Sequence, residues 1–364
     1  MCAGATNHRR GVSLIELLVV VAIFAMIAVT VLPNIAATTE SRRSREAARM
    51  LTSFIAKAQS RALGRREWSG FMLVATNSTS SYAAADLFLA DVPPVYRGDT
   101  VPALLTITDT TSGVTRVASG TLGQLTLSGS LGAAVRKNDL IRFDGRNPWY
   151  ELAADATTGT SVLFRVRGSL VGGAKTSANS EGAGQSEHNT AWPPAGPAVP
   201  FEILRQPVSA GSPFSLPEGR VIDLYWSGYG PPQTGAFMPF QIGTSGTAKE
   251  GATTSVLFDG TGRLRQIQVT DGSTLNRHTV TGPVFLLLGR ADRAGQPDPA
   301  TFNSADDSTG CNWQYPDSYW IGIDPFTGVA KSAECKPNAA GATYIEKLID
   351  SQDWIRELLL TGGN

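Results

Sequence analysis

Apolar residues run almost without interruption from Val12 to Leu32. Leu14–Leu32 spans 19 residues, and only Glu16 and Thr30 within it are polar. At 1.5 Å per residue that is about 28 Å of helix, enough to cross a hydrocarbon core. The period then changes without the helix ending. Between Ala47 and Leu63, Ala47, Leu51, Phe54, Ala58 and Ala62 recur every three or four positions, with Ala48 and Ile55 beside them. Arg45, Arg49, Lys57, Arg61 and Arg65 fall on other faces. This spacing predicts an amphipathic helix that ends near Gly64 and packs its apolar stripe on the sheet that follows. Pro33-Asn34 sits between the halves. A proline there removes one backbone hydrogen bond and crowds the preceding turn, giving either a simple kink or a segment able to extend.

Beyond residue 65 the period shortens. Phe71–Val74, Leu104–Thr108, Gln124–Leu127, Leu140–Phe143 and Val162–Val166 are short apolar or alternating runs bounded by Gly, Asn, Asp and Ser, as strands are. Residues 172–200 are small, polar and proline-rich, which predicts an exposed loop or linker. Strands resume at Phe201–Leu204, Val221–Tyr225, Ser255–Phe258, Leu264–Val269 and Val284–Leu288. Asp259-Gly260-Thr261-Gly262 marks a hairpin between two of them. Tyr319–Ile323 and Thr327–Val329 suggest a last hairpin, and Tyr344–Leu360 a C-terminal amphipathic helix.

The start of the apolar run carries the most specific signal. A short leader ends in Arg9-Arg10-Gly11, and Glu16 follows the glycine by five residues. An acid at mid-bilayer costs about 2.5 kcal/mol or more, so its presence needs a reason. A secretory signal would place its cleavage site after the apolar region, whereas this glycine precedes it. Gly11-Val12-Ser13-Leu14-Ile15-Glu16-Leu17-Leu18 resembles the cleavage and methylation signature of type IV prepilins and type II secretion pseudopilins. The resemblance implies cleavage between Gly11 and Val12 by a prepilin peptidase, and N-methylation of Val12. It implies that Glu16 neutralises the freed N-terminus of a neighbouring subunit, and that Pro33 is a helix-loosening proline. Val12 departs from the family, which more often begins its mature chain with Phe or Met. Arg45–Leu51 and Ala58–Ala62, with Leu216-Pro217-Glu218-Gly219 and Phe258–Gly262, are similar to the minor pseudopilin H class.

The implied fold is α+β. Residues 1–11 form the leader, 12–33 the membrane-spanning helix half and 34–64 an amphipathic periplasmic half. Residues 65–364 form an antiparallel β-rich pilin-like head, with a β-rich insertion over about 95–200. The partners implied are other pilins or pseudopilins, the peptidase, an inner-membrane assembly platform and the lipid bilayer. The function implied is a subunit of a pseudopilus or type IV pilus, its head in the periplasm and its N-terminus cytoplasmic. The alternative is a pilin-anchored surface protein that captures a ligand or DNA.

Composition narrows the picture further. Gly and Pro number 38 and 21 against 17% charged residues, which suits many short strands and turns. Formal charge is zero, so bulk charge does not predict a nucleic-acid partner. Of three cysteines, Cys2 would leave with the leader. In an exported body Cys311 and Cys335 would form a disulfide, worth around 3 kcal/mol for a loop of about 25 residues; the alternative is two buried thiols.

Charge near the helix is unusual. The leader has Arg9, Arg10 and His8, while Arg42, Arg43, Arg45 and Arg49 lie on the side to be exported, so charge bias alone does not set orientation. With Arg61, Arg65 and Arg66 these arginines could meet phosphates of a nucleic acid, but solvated positions or lipid headgroup contacts suit them better. Glu16 itself could also be an acid snorkelling to the cytoplasmic interface. His188 and His278 match no hydrolase or zinc motif, and G-x-S-x-G, P-loop and C-x-x-C patterns are absent, so no enzyme and no cofactor is expected. Asp306-Asp307 with Ser308 and Gly310 fits a plain acidic turn better than a calcium loop. The dispersed Trp149, Trp192, Trp226, Trp313, Trp320 and Trp354 fit packing better than carbohydrate stacking.

Overall fold

Leu14–Arg65 form one α-helix of 52 residues, α1, whose backbone is helical through Pro33. The computed structural model of the chain describes residues 14–75, 82–98, 103–108, 116–120, 135–146, 148–155, 161–165, 193, 196–230, 238–239, 253–270, 275–280, 282–295, 310–337 and 343–361. Within α1 the side chains of Glu16 and residues 27–39 lie outside this description.

The C-terminal half of α1 is a core element. Ala47, Leu51, Phe54, Ile55, Ala58 and Ala62 are buried together, on the face that their spacing predicts. They pack between two antiparallel sheets, not on one alone. The first sheet runs in the order Val208–Ser215, Asp86–Asp91, Ser69–Val74, Thr253–Phe258, Leu264–Thr270, Leu275–Thr279. It contributes Phe71, Leu73, Val256 and Ile267 to this core. The second runs Met238–Pro239, Arg220–Tyr229, Val284–Arg290, Tyr319–Ile323, Ala330–Glu334, with Ala83–Ala84 also paired to Arg220–Tyr229. It contributes Ile222, Leu286 and Ile321. Ala85 alone separates Ala83–Ala84 from Asp86–Asp91, so the chain steps from one sheet to the other there. It steps back through Leu216-Pro217-Glu218-Gly219, where Gly219 adopts φ +76.

The second sheet is covered on both faces. Trp226, Phe285, Leu287 and Trp320 point away from α1 and meet Trp313, Leu348 and Ile355. The latter two belong to α2 (Tyr344–Ser351) and α3 (Asp353–Leu360). Burial on both sides explains why Val284–Leu288 reads as continuous apolar residues instead of alternating ones. The single C-terminal helix expected over Tyr344–Leu360 is thus two helices. Ser351 Oγ donates to the Leu348 carbonyl at 2.6 Å and accepts from Trp320 Nε1 at 3.1 Å. That side-chain bonding competes with continuation of the helix, and the chain turns at the fully buried Gln352.

A third element stands apart from both sheets. Leu104–Thr108, Arg116–Gly120, Ser161–Arg165, Tyr150–Leu152, Leu140–Phe143 and Val199–Leu204 form a closed barrel in that order, sealed by Leu104 opposite Pro200. Its interior is a separate apolar core that includes Leu105, Ile107, Ile141, Phe164 and Ile203. The strands bracketing it in sequence, Asp86–Asp91 and Val208–Ser215, pair directly, with Val208 opposite Asp91. Arg277 Nη2, from the edge of the first sheet, donates to the Asn138 carbonyl of the barrel at 2.6 Å. The expected strand at Gln124–Leu127 lies outside the described residues, as does 172–200 apart from Pro193 and 196–200.

Candidate functional site: the amino-terminal helix and its anchorage

Every described side chain from Leu14 to Met26 is exposed, from Leu14 at 82% to Met26 at 73%. Twelve positions over more than three turns cover the whole circumference, so no face of this stretch packs on its own head. Isolated exposed apolar residues are ordinary, but a contiguous apolar rod requires a partner or a non-aqueous medium. These residues alone are fewer than a span needs, and among the described residues no helix is long and apolar enough to cross a membrane. Gly11 and Val12 lie outside the described residues. Glu16 and Pro33 are described as helical backbone only.

The head grips α1 at two places. At the near end, Arg220 has only 2% of its surface exposed. Its Nη2 donates to the Glu40 carbonyl at 3.0 Å and to the Glu40 carboxylate. Asp317 lies 3.8 Å from Nη1 and is also reached by Arg293, whose guanidinium stacks on Tyr315 at 3.5 Å. Burial pulls the Arg220 pKa below its ordinary value, while Glu40 and Asp317 oppose that shift. At the far end, Arg61 binds Asp91 through Nε at 2.7 Å and Nη2 at 2.5 Å, and Arg65 adds a contact at 2.9 Å. The Arg61 fork holds the Asp91 carboxyl below the usual range, with Ser69 Oγ donating a further bond. Gln59 Nε2 donates to the carbonyls of Gly262 and Thr327 at 3.0 and 2.6 Å, tying two hairpin turns to the helix. Charge-assisted, forked contacts fix orientation as well as position. Gripped at both ends of its packed half, α1 cannot roll without breaking them.

The arginine group is therefore divided. Arg61 and Arg65 are paired with Asp91, Arg45 lies 3.9 Å from Glu334, and Arg43 lies 3.3 Å from Glu40. Arg42 and Arg49 are exposed. The role of Arg220 is not readable from sequence, because its partner Glu40 lies 180 positions away.

The expected disulfide is not formed. Cys311 and Cys335 are buried thiols in the cluster with Trp226, Trp313 and Trp320, each taken up as a small apolar side chain in a packed interior. Burial pushes the Cys335 thiol well above its ordinary range. Those three tryptophans are almost wholly buried, and Trp149 lies under Arg142 at 4.7 Å. His278 Nδ1 is 2.8 Å from the Tyr229 hydroxyl, and burial lowers its pKa. His188, Trp192, Asp306, Asp307 and Ser308 lie outside the described residues. Among the described residues, no three His, Cys, Asp or Glu side chains gather to hold a metal ion.

Comparison with known proteins bears on the helix. A family model described as the prokaryotic N-terminal methylation motif matches residues 6–32, less than a tenth of the chain. The match supports a place in the type IV pilin and pseudopilin family, with the processing and pilin partners that such a motif entails. No curated protein and no solved structure matches the chain.

Proposed function

We propose that this chain is a pilin-like subunit of a type II secretion pseudopilus or a type IV pilus, resident in the inner membrane before assembly. One observation carries the reading. The methylation motif, residues 6–32, takes in the stretch of α1 from Leu14 to Met26 whose described side chains are all exposed. Cleavage after Gly11 leaves Val12 as the mature, N-methylated terminus, and Leu14–Leu32 anchors the subunit with its head in the periplasm. Glu16 then sits one helical turn from an ammonium group in a medium of low dielectric, where opposite charges attract strongly. Pairing with the N-terminus of a neighbour sets the axial register of the assembly. The assembly platform in the inner membrane recruits this helix, and Pro33 lets it extend as subunits pack.

Within the family the reading favours the minor pseudopilin H class, supported by the Arg45–Ala62 stretch and the turns at Leu216–Gly219 and Asp259–Gly262. No catalytic role is assigned. A second reading, a pilin-anchored binder of a surface ligand or DNA, draws on the barrel, which has an apolar core separate from the one between the two sheets.

The test is N-terminal sequencing and intact mass of the membrane-extracted protein. A start at N-methylated Val12 is expected, and a start at Met1 or beyond Pro33 overturns the reading. For Glu16, the Glu16→Ala variant should insert at least as well as the parent, with an unchanged head. Its cross-linking to other pilin-like subunits should fall sharply; normal incorporation would show Glu16 to be a passenger.

A further inference from the structure

We propose that the head docks against anionic phospholipid through a collar of arginines around the point where α1 leaves it. The inference rests on the membrane anchor argued above and adds a second contact with the same bilayer. α1 is helical throughout Leu32–Arg42. Ten residues of helix span about 15 Å. The headgroup region extends roughly 5–8 Å beyond the hydrocarbon. Arg42 and Arg43 therefore sit close above the headgroups, and helical side chains lean toward the N-terminus, here toward the bilayer. The remaining gap is about one Debye length at physiological salt.

The charge at this level is net positive. Arg42, Arg43, Arg220, Arg290 and Arg293 face Glu40, Asp292, Asp317 and the exposed Glu218, an excess of one positive charge. The Arg220 guanidinium feels both Arg290 and Arg293, so the strands of the second sheet bring their arginines to the same end of the head as Glu40. Apart from Glu218, the acids are committed inward or locally. Glu40 and Asp317 are held by the buried Arg220, and Asp292 accepts two bonds from Arg290 at 3.0 and 2.8 Å. Arg42 is exposed and makes no ion pair among the described residues. Arg43 is 56% exposed with a single contact to Glu40. Arginine on an exported segment next to a membrane span runs against the usual charge bias. A net anionic phospholipid surface at this level explains its placement, and such a surface attracts each nearby cation by about fivefold in occupancy.

The test uses the full mature chain in vesicles, spin-labelled at Glu218→Cys on the exposed turn two residues before Arg220. Collision with headgroup-chelated nickel reports how near that turn lies to the lipid. In phosphatidylcholine containing phosphatidylglycerol the label should reach the headgroups, and in phosphatidylcholine alone it should not. Arg42→Gln with Arg43→Gln should cut the docked population roughly thirtyfold. Lys57→Gln, with the same kind of charge loss farther up α1, should leave it unchanged. Equal accessibility in the two lipids overturns the proposal, as does a double variant that behaves like Lys57→Gln. Displacement by inorganic phosphate beyond that by chloride at matched ionic strength, or by duplex DNA, also overturns it by reassigning the collar to a free anion or a nucleic acid. Release of every variant by alkaline carbonate would remove the anchor reading itself. An anchored protein indifferent to lipid charge removes only the collar.

Discussion

Replacing Arg220 by alanine should loosen α1 at the point where it leaves the head. The side chain is 1% exposed and holds both the carbonyl and the carboxylate of Glu40. Losing a hydrogen bond to a charged group costs about 1.5–3 kcal/mol, and emptying the space of its Cγ and Cδ methylenes adds about 1.6 kcal/mol. Two effects oppose that loss. Glu40 is 37% exposed and can turn to water, and the desolvation of the guanidinium, itself worth several kcal/mol, is relieved. The balance for Arg220→Ala is about 2–3 kcal/mol of destabilisation, and about 1–2 kcal/mol for Arg220→Met, which keeps most of the packing. Urea unfolding of the full chain in detergent, followed by the buried Trp226, Trp313 and Trp320, measures both. A double-mutant cycle with Glu40→Gln should return a coupling of about 1–2 kcal/mol, and hydrogen exchange should rise around Glu40–Ser44. A coupling within about 0.3 kcal/mol of zero would refute the clamp, because the two groups would then act independently.

Acid should unfold the head partly through Asp259. Burial raises this carboxyl, but bonds from Arg265, Thr261 and Arg263 outweigh that and bring it to about 2. A lowered folded pKa gives stability that is complete above about pH 4 and lost as pH falls toward 2, so Asp259→Ala should flatten that limb of a pH–stability curve. Gly70→Ala should be severely destabilising, since a Cβ there would lie 1.9 Å from the Val256 carbonyl oxygen of the neighbouring strand. A lowered melting temperature or loss to inclusion bodies would register it, and parental stability would refute the register of that pair. Cys335 should resist thiol reagents in the native state and react once the chain is unfolded in urea. Rapid native labelling would contradict its burial.

The residues most legible in the sequence are those whose partners are local or whose burial is two-sided. The α1 stripe from Ala47 to Ala62 declares its face by spacing, and Val284–Leu288 declares burial by continuity. Asp259–Gly262 names its hairpin because the turn chemistry is contained within four residues. Val208–Ser215 escapes such reading. It is an edge strand, mostly exposed, carrying Gly211 and Pro213, and its register shifts between Ala210 and Phe214. A proline is tolerated there for the reason that hides the strand, since one side has no ladder to complete. Closure of the barrel depends on Leu104 meeting Pro200, and the near clamp on Glu40 meeting Arg220. No local period encodes contacts of that range. The cysteine pair shows a different limit, because spacing and redox environment say nothing about whether a packed interior takes two thiols apart or together. The methylation motif is legible because it is a linear signal contained within residues 6–32.

The barrel enters and leaves the head at one point, where Asp91 faces Val208 across adjacent strands. A chain excursion that begins and ends on neighbouring residues places no demand on the distance between its own termini beyond the width of a ladder. The head thus offers a port. Whatever is spliced there inherits a fixed mounting without changing the faces that pack against α1. If the chain assembles through α1 as proposed above, such a port separates two kinds of selection. The helix would then have to match its neighbours in every copy, and its variation would be constrained by the whole assembly. The cargo at the port answers only to its own interior and to what it touches outside, so it is free to diverge, be exchanged or be lost at a different tempo.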